Sequence, residues 1–404
     1  MLLFGGLSVV FVACGDDGSS SGGNGSSSDA ASPEANDDTP GEASTDAAST
    51  SDARADAGPP LPLQGHVEFS SVYSHTCALR DGGLTCWGWN IGGALGAPDL
   101  GEFSASPVTV QGLDDIIEVA AGGRHTCALR SDRTIACWGE NDFAQLGQGS
   151  ALPAKSDAPL PVPGLTNMRA VAAGYAFVCA VNDDRTVVCW GRNDSGVVGP
   201  DAGATSNVPV AIPSITDVEV IAAGSGQACV IHTDRTVSCW GRGREAAVVP
   251  GVRNAVALAV GFTHACALRE DRTVLCWGAH QYGQLGPGAA GDSEEAVVVT
   301  GLDDVVAIGA GYYHTCAVRD GGNVVCWGRN ELGSLGTGDA SAGFSATPLP
   351  VAITDALVVR GGLHFACARR AGEKVSCWGR NEVGELGGGT DAGSSATPLE
   401  VVGF

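Results

Sequence analysis

The chain of 404 residues has two lysines, two methionines and five tyrosines, and its basic residues number 22 against 45 acidic ones. The formal net charge of -23 excludes a nucleic-acid partner, which would need basic surface to displace counterions from phosphates. Long hydrophobic runs are also lacking. The apolar stretch from Met1 to Ala13 is shorter than the roughly 20 residues that span a bilayer as a helix. No Gly-x-Ser-x-Gly elbow, phosphate-cradling Gly-x-x-x-x-Gly-Lys or His-Glu-x-x-His occurs, so the sequence carries no catalytic constellation of those kinds. Neither an enzyme nor a cofactor is expected.

What the chain has in quantity is glycine and cysteine, 60 and 15 residues. Thiols are rarely accumulated in reducing compartments without a metal or a catalytic use, so this count points to an exported protein. The start agrees with that. A short apolar segment over residues 1–14 reads as a signal peptide, and Phe11-Val12-Ala13-Cys14 resembles the lipobox of bacterial lipoproteins. That resemblance implies a lipid on Cys14 and an extracytoplasmic, membrane-anchored protein of the outer membrane or cell surface, with plain secretion as the alternative. Residues 15–60 contain ten acids, one base and no Val, Ile, Leu or Met. Such a segment cannot bury enough apolar surface to offset its ordering entropy. It is expected to be a disordered acidic tether with an end-to-end distance of roughly 35 to 40 Å.

Residues 61–404 are dominated by an internal repeat. A unit of the form Ala-Gly, two residues, His-Thr-Cys-Ala-Leu-Arg, a turn and Cys-Trp-Gly recurs seven times. Its cysteines are Cys77 and Cys86, Cys127 and Cys137, Cys179 and Cys189, Cys229 and Cys239, Cys266 and Cys276, Cys316 and Cys326, Cys367 and Cys377. Alternation of period two on either side of a short turn makes each pair face across a hairpin, so seven cross-strand disulfides are expected. A strand such as Ile116 to Gly122 lies upstream, and an extended piece such as Ser106 to Val110 precedes it. Four short strands per unit of about 50 residues describe an all-β, seven-bladed β-propeller. The chain ends on an unpartnered copy of the extended piece, Thr397 to Phe404. This C-terminal strand is expected to close the ring by completing the blade begun at the N-terminus.

The string CWGRNELGSLG, Cys326 to Gly336, with HTCAVRDGGNVVCWG before it, resembles the regulator-of-chromosome-condensation repeat, whose members are seven-bladed propellers. The Trp-Gly-x-Asn-x-x-Gly-x-Leu-Gly segment recurs nearly intact in blades one, two, six and seven. Blade four loses it. About thirteen residues are missing between Glu245 and Val256, so one rim is expected to carry a notch.

The repeated side chains are read as structural: tryptophans as inter-blade core, glycines as tight turns. His75, His125, His264 and His314 share one slot that other blades fill with Phe177, Gln227 and Phe365. Metal ligands must converge on one point, which equivalent positions around a ring do not, so no metal is expected. The distinctive feature outside the core is a group of aromatics in the loops after the Ala-Gly strands, Tyr73, Tyr175, Phe262, Tyr312 and Tyr313. If those strands line the axis, these residues ring one mouth of the channel and form the candidate binding face. Resemblance implies such a use, since the same architecture includes secreted inhibitors of β-lactamases that bind through a propeller face. The expected function is therefore a monomeric, lipid-anchored module that binds a protein or other extracellular ligand. The alternative, implied by the best-known eukaryotic member, is guanine-nucleotide exchange on a small GTPase.

Overall fold

The computed structural model describes residues 69–80, 83–149 and 153–404. Cys14, the tether and the Asp81-Gly82 turn lie outside the described residues. Within them, 28 strands form seven four-stranded antiparallel sheets, each built from four consecutive strands. In the second blade these are an inner strand Ile116–Ala121, a second strand His125–Arg130, a third Ile135–Glu140 and an outer Lys155–Pro161. The only helical elements among the described residues are two short 3-10 turns, Ile91–Gly93 and Glu331–Gly333.

The Pro-x-x-Val piece thus ends the blade that comes before it and does not begin the next. Blade one already has an outer strand, Phe103–Thr109. The last strand, Ser395–Glu400, pairs with Lys374–Gly379 in the seventh blade, which corrects the expectation that it completes the first. The ring still closes, by packing and not by strand exchange. Phe69 and Trp87 of blade one share a hydrophobic cluster with Phe365, Leu386 and Val401, and the C-terminal Phe404 ring lies 5.9 Å from Trp87. Proline in the outer strands, as in Pro107, Pro159, Pro209, Pro348 and Pro398, removes a donor from each exposed edge and so discourages pairing with other chains.

The seven cysteine pairs are bonded as disulfides directly across the second and third strands, with Cα atoms 4.0 to 4.1 Å apart. The repeated Trp then ties blade to blade. Trp138 Nε1–H of blade two donates to the carbonyl of Ala94 in the Leu-Gly loop of blade one, at 3.0 Å. Equivalent bonds join Trp190 to Gln145, Trp240 to Val197, Trp327 to Gln284, Trp378 to Ser334 and Trp87 to Glu385. The loop that offers these carbonyls is organised by its asparagine: Asn141 Oδ1 accepts from Leu146 N at 2.9 Å while its amide donates to Pro153 O. The glycine after the leucine makes room for the indole. A Cβ on Gly147 would meet Trp190 Nε1 at 2.9 Å, and its φ of +67 already excludes most side chains.

On the opposite face, the turns between second and third strands of blades two to five carry Asp-Arg-Thr. Each Asp accepts from the Thr amide and hydroxyl two residues on, as Asp132 does from Thr134 at 3.0 and 2.6 Å. That arrangement holds the intervening arginine at positive φ and aims it at the next blade. Arg133 pairs with Asp183, Arg185 with Glu219, Arg235 with Glu270 and Arg272 with Asp320.

Candidate functional site

Each inner strand is joined to its second strand by a two-residue turn, closed by a bond such as Gly122 N–H to His125 O at 2.8 Å. All seven turns lie on the same face around the axis. Their first positions are Tyr73, Gly123, Tyr175, Ser225, Phe262, Tyr312 and Leu363. The structure therefore brings four of the five candidate aromatics to equivalent places at the axial mouth, and Tyr313 occupies the next position in its turn. They do not stay within their own blades. The Tyr73 ring of blade one lies 5.3 Å from Tyr175 of blade three and 6.4 Å from Tyr312 of blade six, so the rings meet across the axis. Phe262 stacks on Tyr312 at 3.9 Å. Together with Gly224, Gly261, Gly311 and Gly362, the rings of Tyr73, Tyr175, Phe262 and Tyr312 line a small cavity of about 30 Å3 at the axial mouth. Tyr73 is held at a φ of 56, uncommon for so bulky a residue.

Two further aromatics extend the cluster and were missed by reading the repeat. Trp89 stands two residues after the core Trp87, where other blades have Glu140, Arg192, Arg242, Ala279, Arg329 and Arg380. Its ring lies 6.2 Å from Tyr73. Tyr282, in the Leu-Gly loop of blade five, lies 5.1 Å from Tyr313. A continuous aromatic stripe thus crosses the face through Trp89, Tyr73, Tyr312, Tyr313 and Tyr282, with centroid steps of 4.8 to 6.4 Å. Arginines sit on its two ends. Arg124 lies 5.2 Å over Trp89, and Arg329 lies 4.8 Å over Tyr282 and 5.5 Å over Tyr313. The signal for Trp89 was available in the sequence, as the one tryptophan of eight outside the Cys-Trp-Gly pattern.

Electrostatics keep these groups in binding forms. Burial, reinforced by the neighbouring phenols, raises the pKa of Tyr312 above the usual tyrosine range. Burial likewise raises Tyr175, with Tyr73 adding to it, and Tyr313, with Tyr282 adding to it. The phenols of Tyr175, Tyr312 and Tyr313 are therefore neutral hydrogen-bond donors at any physiological pH. Burial works against the Arg124 charge, but Glu140, bonded to it at 3.1 Å, outweighs this and raises its pKa. Arg329 is paired with Glu331, and Arg380 with Glu382. The face offers aromatic planes, phenol donors and guanidinium groups, which is the side-chain chemistry of binding surfaces. Among the described residues no group of three or more His, Cys, Asp or Glu is placed to hold a metal ion.

The four histidines of the common slot are buried between blades. His75 Nε2–H donates to Thr126 Oγ1 of the next blade at 2.9 Å, and that hydroxyl donates to Ala94 O, the same carbonyl that receives Trp138. His264, Thr315 and Gln284 O repeat this clasp. In the blades that follow His125 and His314, the position equivalent to Thr126 is Val178 and Ala366, where the hydroxyl is missing. Burial pushes the pKa of His75 and His264 down to about 4, and of His125 and His314 down to about 3.

Below the mouth, Arg360 stands on the inner strand of blade seven at the register position that holds Ser70, Ala120, Ala172, Ala222, Ala259 and Gly309 elsewhere. It donates to the carbonyls of Phe69, Ile308 and Val359, which are themselves equivalent positions in blades one, six and seven. Burial lowers its pKa to about 10. The expected notch in blade four is present. Its third strand Val237–Gly241 passes to the outer strand Arg244–Val248 through Arg242 and Gly243 alone. The next tryptophan, Trp277, therefore has no Leu-Gly loop over it and is 7% exposed, against 0 to 3% for the other six core tryptophans.

Comparison with known proteins is consistent with the repeat pattern. One family model of the Regulator of chromosome condensation (RCC1) repeat matches residues 116–145, 168–197, 255–284 and 305–334, and a second matches 81–129, 137–181 and 271–318. The chain is 36% identical over 138 residues to the Ultraviolet-B receptor UVR8 of Arabidopsis thaliana, across 32% of this chain and 30% of that protein. It is 30% identical over 159 residues to Protein pim1 of Schizosaccharomyces pombe, across 35% of this chain and 30% of that protein. The matched part therefore spans less than a third of either relative. Among solved structures, Prp20p of Saccharomyces cerevisiae, described with its binding properties to Gsp1p and histones, superposes with a TM-score of 0.69 at 21% identity, over 84% of this chain and 87% of that one. Human WBSCR16 gives 0.70 at 20% identity, over 80% and 94%. At these identities the two likenesses speak to the fold alone.

Proposed function

Because the chain belongs to the regulator of chromosome condensation (RCC1) repeat family and folds as a seven-bladed propeller, we propose that it is a protein-binding module that engages its partner through the axial mouth face. The observation that carries this is the stripe of rings from Trp89 to Tyr282, bounded by Arg124 and Arg329. Tyr, Trp and Arg supply most of the energy at protein interfaces, because they combine large apolar area with a polar or charged tip at modest entropy cost. Their concentration on one face of a chain with few aromatics favours a specific contact over a general one. The export setting belongs to the same proposal: a lipid on Cys14 and the acidic tether would present this face outside the cytoplasm. Seven disulfides are in keeping with an oxidising compartment.

The test is crosslinking on cells that carry the full chain, comparing wild type with a Tyr175→Ala, Tyr312→Ala, Tyr313→Ala variant. Loss of the crosslinked species with unchanged abundance of the protein is expected. An unchanged crosslinking pattern would sink the face. Intact mass without reduction reports the lipid on Cys14 separately. Guanine-nucleotide exchange, the alternative raised by resemblance, finds no particular support in the residues of the face.

A further inference from the structure

The notch in blade four opens a groove beside the aromatic mouth. It is lined by Tyr175, Phe177, Arg192, Ser195, Ser225 and Arg242 among others, and encloses about 720 Å3 of space open to solvent. Tyr175 and Ser225 line both this groove and the mouth cavity, so the two are adjacent.

Arg242 is the unusual residue. Five arginines in the described residues have positive φ: Arg133, Arg185, Arg235, Arg242 and Arg272. A left-handed backbone disfavours a long side chain, and four of the five have an evident compensation, an ion pair with an acid of the next blade. Arg242, at a φ of 56 in a turn where Asn or Asp would be the ordinary choice, makes no such pair. The other guanidinium groups near the groove are taken. Arg192 is held by Asp194 and lies 4.7 Å over the Phe143 ring, and Arg244 is held by Glu294. Burial and the like charge of Arg244 lower the Arg242 pKa, with Asp292 and Tyr313 opposing. Asp194 also lines the groove but is taken by Arg192, so Arg242 is a groove cation with no carboxylate bonded to it, in a chain whose net charge is -23.

We propose that the groove receives an acidic side chain, Asp or Glu, carried on an extended segment of the partner that continues across the aromatic stripe. Charge complementarity selects this occupant. A carboxylate pairs with the planar guanidinium fork, while apolar side chains of the same segment rest on Tyr175 and the rings beyond it. The steps of 4.8 to 6.4 Å between successive rings suit a segment of about six residues at an extended rise of about 3.3 Å each. This inference rests on the mouth face being the binding face.

The test pans random heptapeptides displayed on phage against the immobilised full chain, followed by affinity measurement with synthetic peptides. Enrichment of sequences with one Asp or Glu near apolar residues is expected. The best peptide should lose about three- to tenfold in affinity on Arg242→Gln. Its Asp→Lys or Glu→Lys version should prefer Arg242→Glu over wild type, a swap that a merely structural role for the arginine would not produce. No enrichment, enrichment without acidic residues, or indifference to both Arg242 variants overturns the inference. If the peptides also ignore Tyr175→Ala with Tyr312→Ala, the face itself is wrong; if they need the tyrosines but not the arginine, only the groove is.

Discussion

Four buried neutral histidines make the propeller sensitive to mild acid, and the size of the effect follows from their environment. His75, His125, His264 and His314 are lowered to between about 3 and about 4 in the folded chain, from an ordinary value of 6.5. The unfolded chain therefore takes up protons first. Stability is complete above pH 6.5 and is lost as pH falls below it, until the folded values are reached. One pH unit on one group is worth about 1.4 kcal/mol. At pH 5.0 each histidine then costs about 2 kcal/mol relative to pH 7.5, and the four together about 8 kcal/mol, a large part of the 5 to 15 kcal/mol that ordinarily holds a domain folded. Aspartates such as Asp132, Asp184 and Asp234, whose pKa values are lowered by their Thr partners, lose their contribution only below the carboxylate range and do not intrude on this window. The repeat itself supplies the control. Phe177 and Phe365 fill the same slot, and the glycine that lodges the ring is present under both residue types, Gly122 and Gly311 beneath histidine, Gly174 and Gly362 beneath phenylalanine. A His125→Phe, His314→Phe variant should fold and lose about 4 kcal/mol less than wild type over the same interval. The assay is guanidinium unfolding with disulfides intact, followed by tryptophan fluorescence at pH 7.5 and 5.0. An equal loss in wild type and variant would refute the assignment to these histidines.

The clasp through Thr126 should be cooperative: Thr126→Val and His75→Phe are each expected to cost about 1 to 3 kcal/mol, with a coupling of at least about 0.5 kcal/mol in a double-mutant cycle. Additive losses would mean that the hydroxyl and the imidazole act independently. Replacing Cys127 and Cys137 together by Ala removes a ten-residue closure and should cost at most about 3 kcal/mol, read as a shift in the same unfolding curve. Arg360→Ala should loosen the seam between the last and first blades, detected as faster amide exchange over Phe69–Val72 than over the inner strand of blade two; unchanged exchange would deny Arg360 a role in closure.

The repeat made the strands, their pairing and the disulfides legible because each depends on near neighbours: a turn, period-two alternation and two cysteines that meet across it. The blade frame was not legible. A Pro-x-x-Val strand reads the same whether it ends one sheet or begins the next, and only the pairing of Ser395–Glu400 with Lys374–Gly379 decides between them. The candidate site divides in the same way. Tyr73, Tyr175, Phe262, Tyr312 and Tyr313 stood out by their common position in the repeat, whereas Trp89 joins them within blade one and Tyr282 and Arg329 across the junction of blades five and six, contacts that only the folded face makes.

By itself, then, the sequence determined the number of blades, the facing cysteines and the slots for tryptophan, histidine and glycine, since these are local rules repeated seven times. The tertiary structure decided everything that depends on where the repeats differ. Ring closure brings seven unequal turns to one axis, so that Tyr73 of blade one touches Tyr175 and Tyr312, and it places Arg360, an exception to its repeat, in the channel and Arg242, in the blade that lacks the Leu-Gly loop, beside the mouth. A departure from a repeat is visible in one dimension, but what it meets depends on the closed ring.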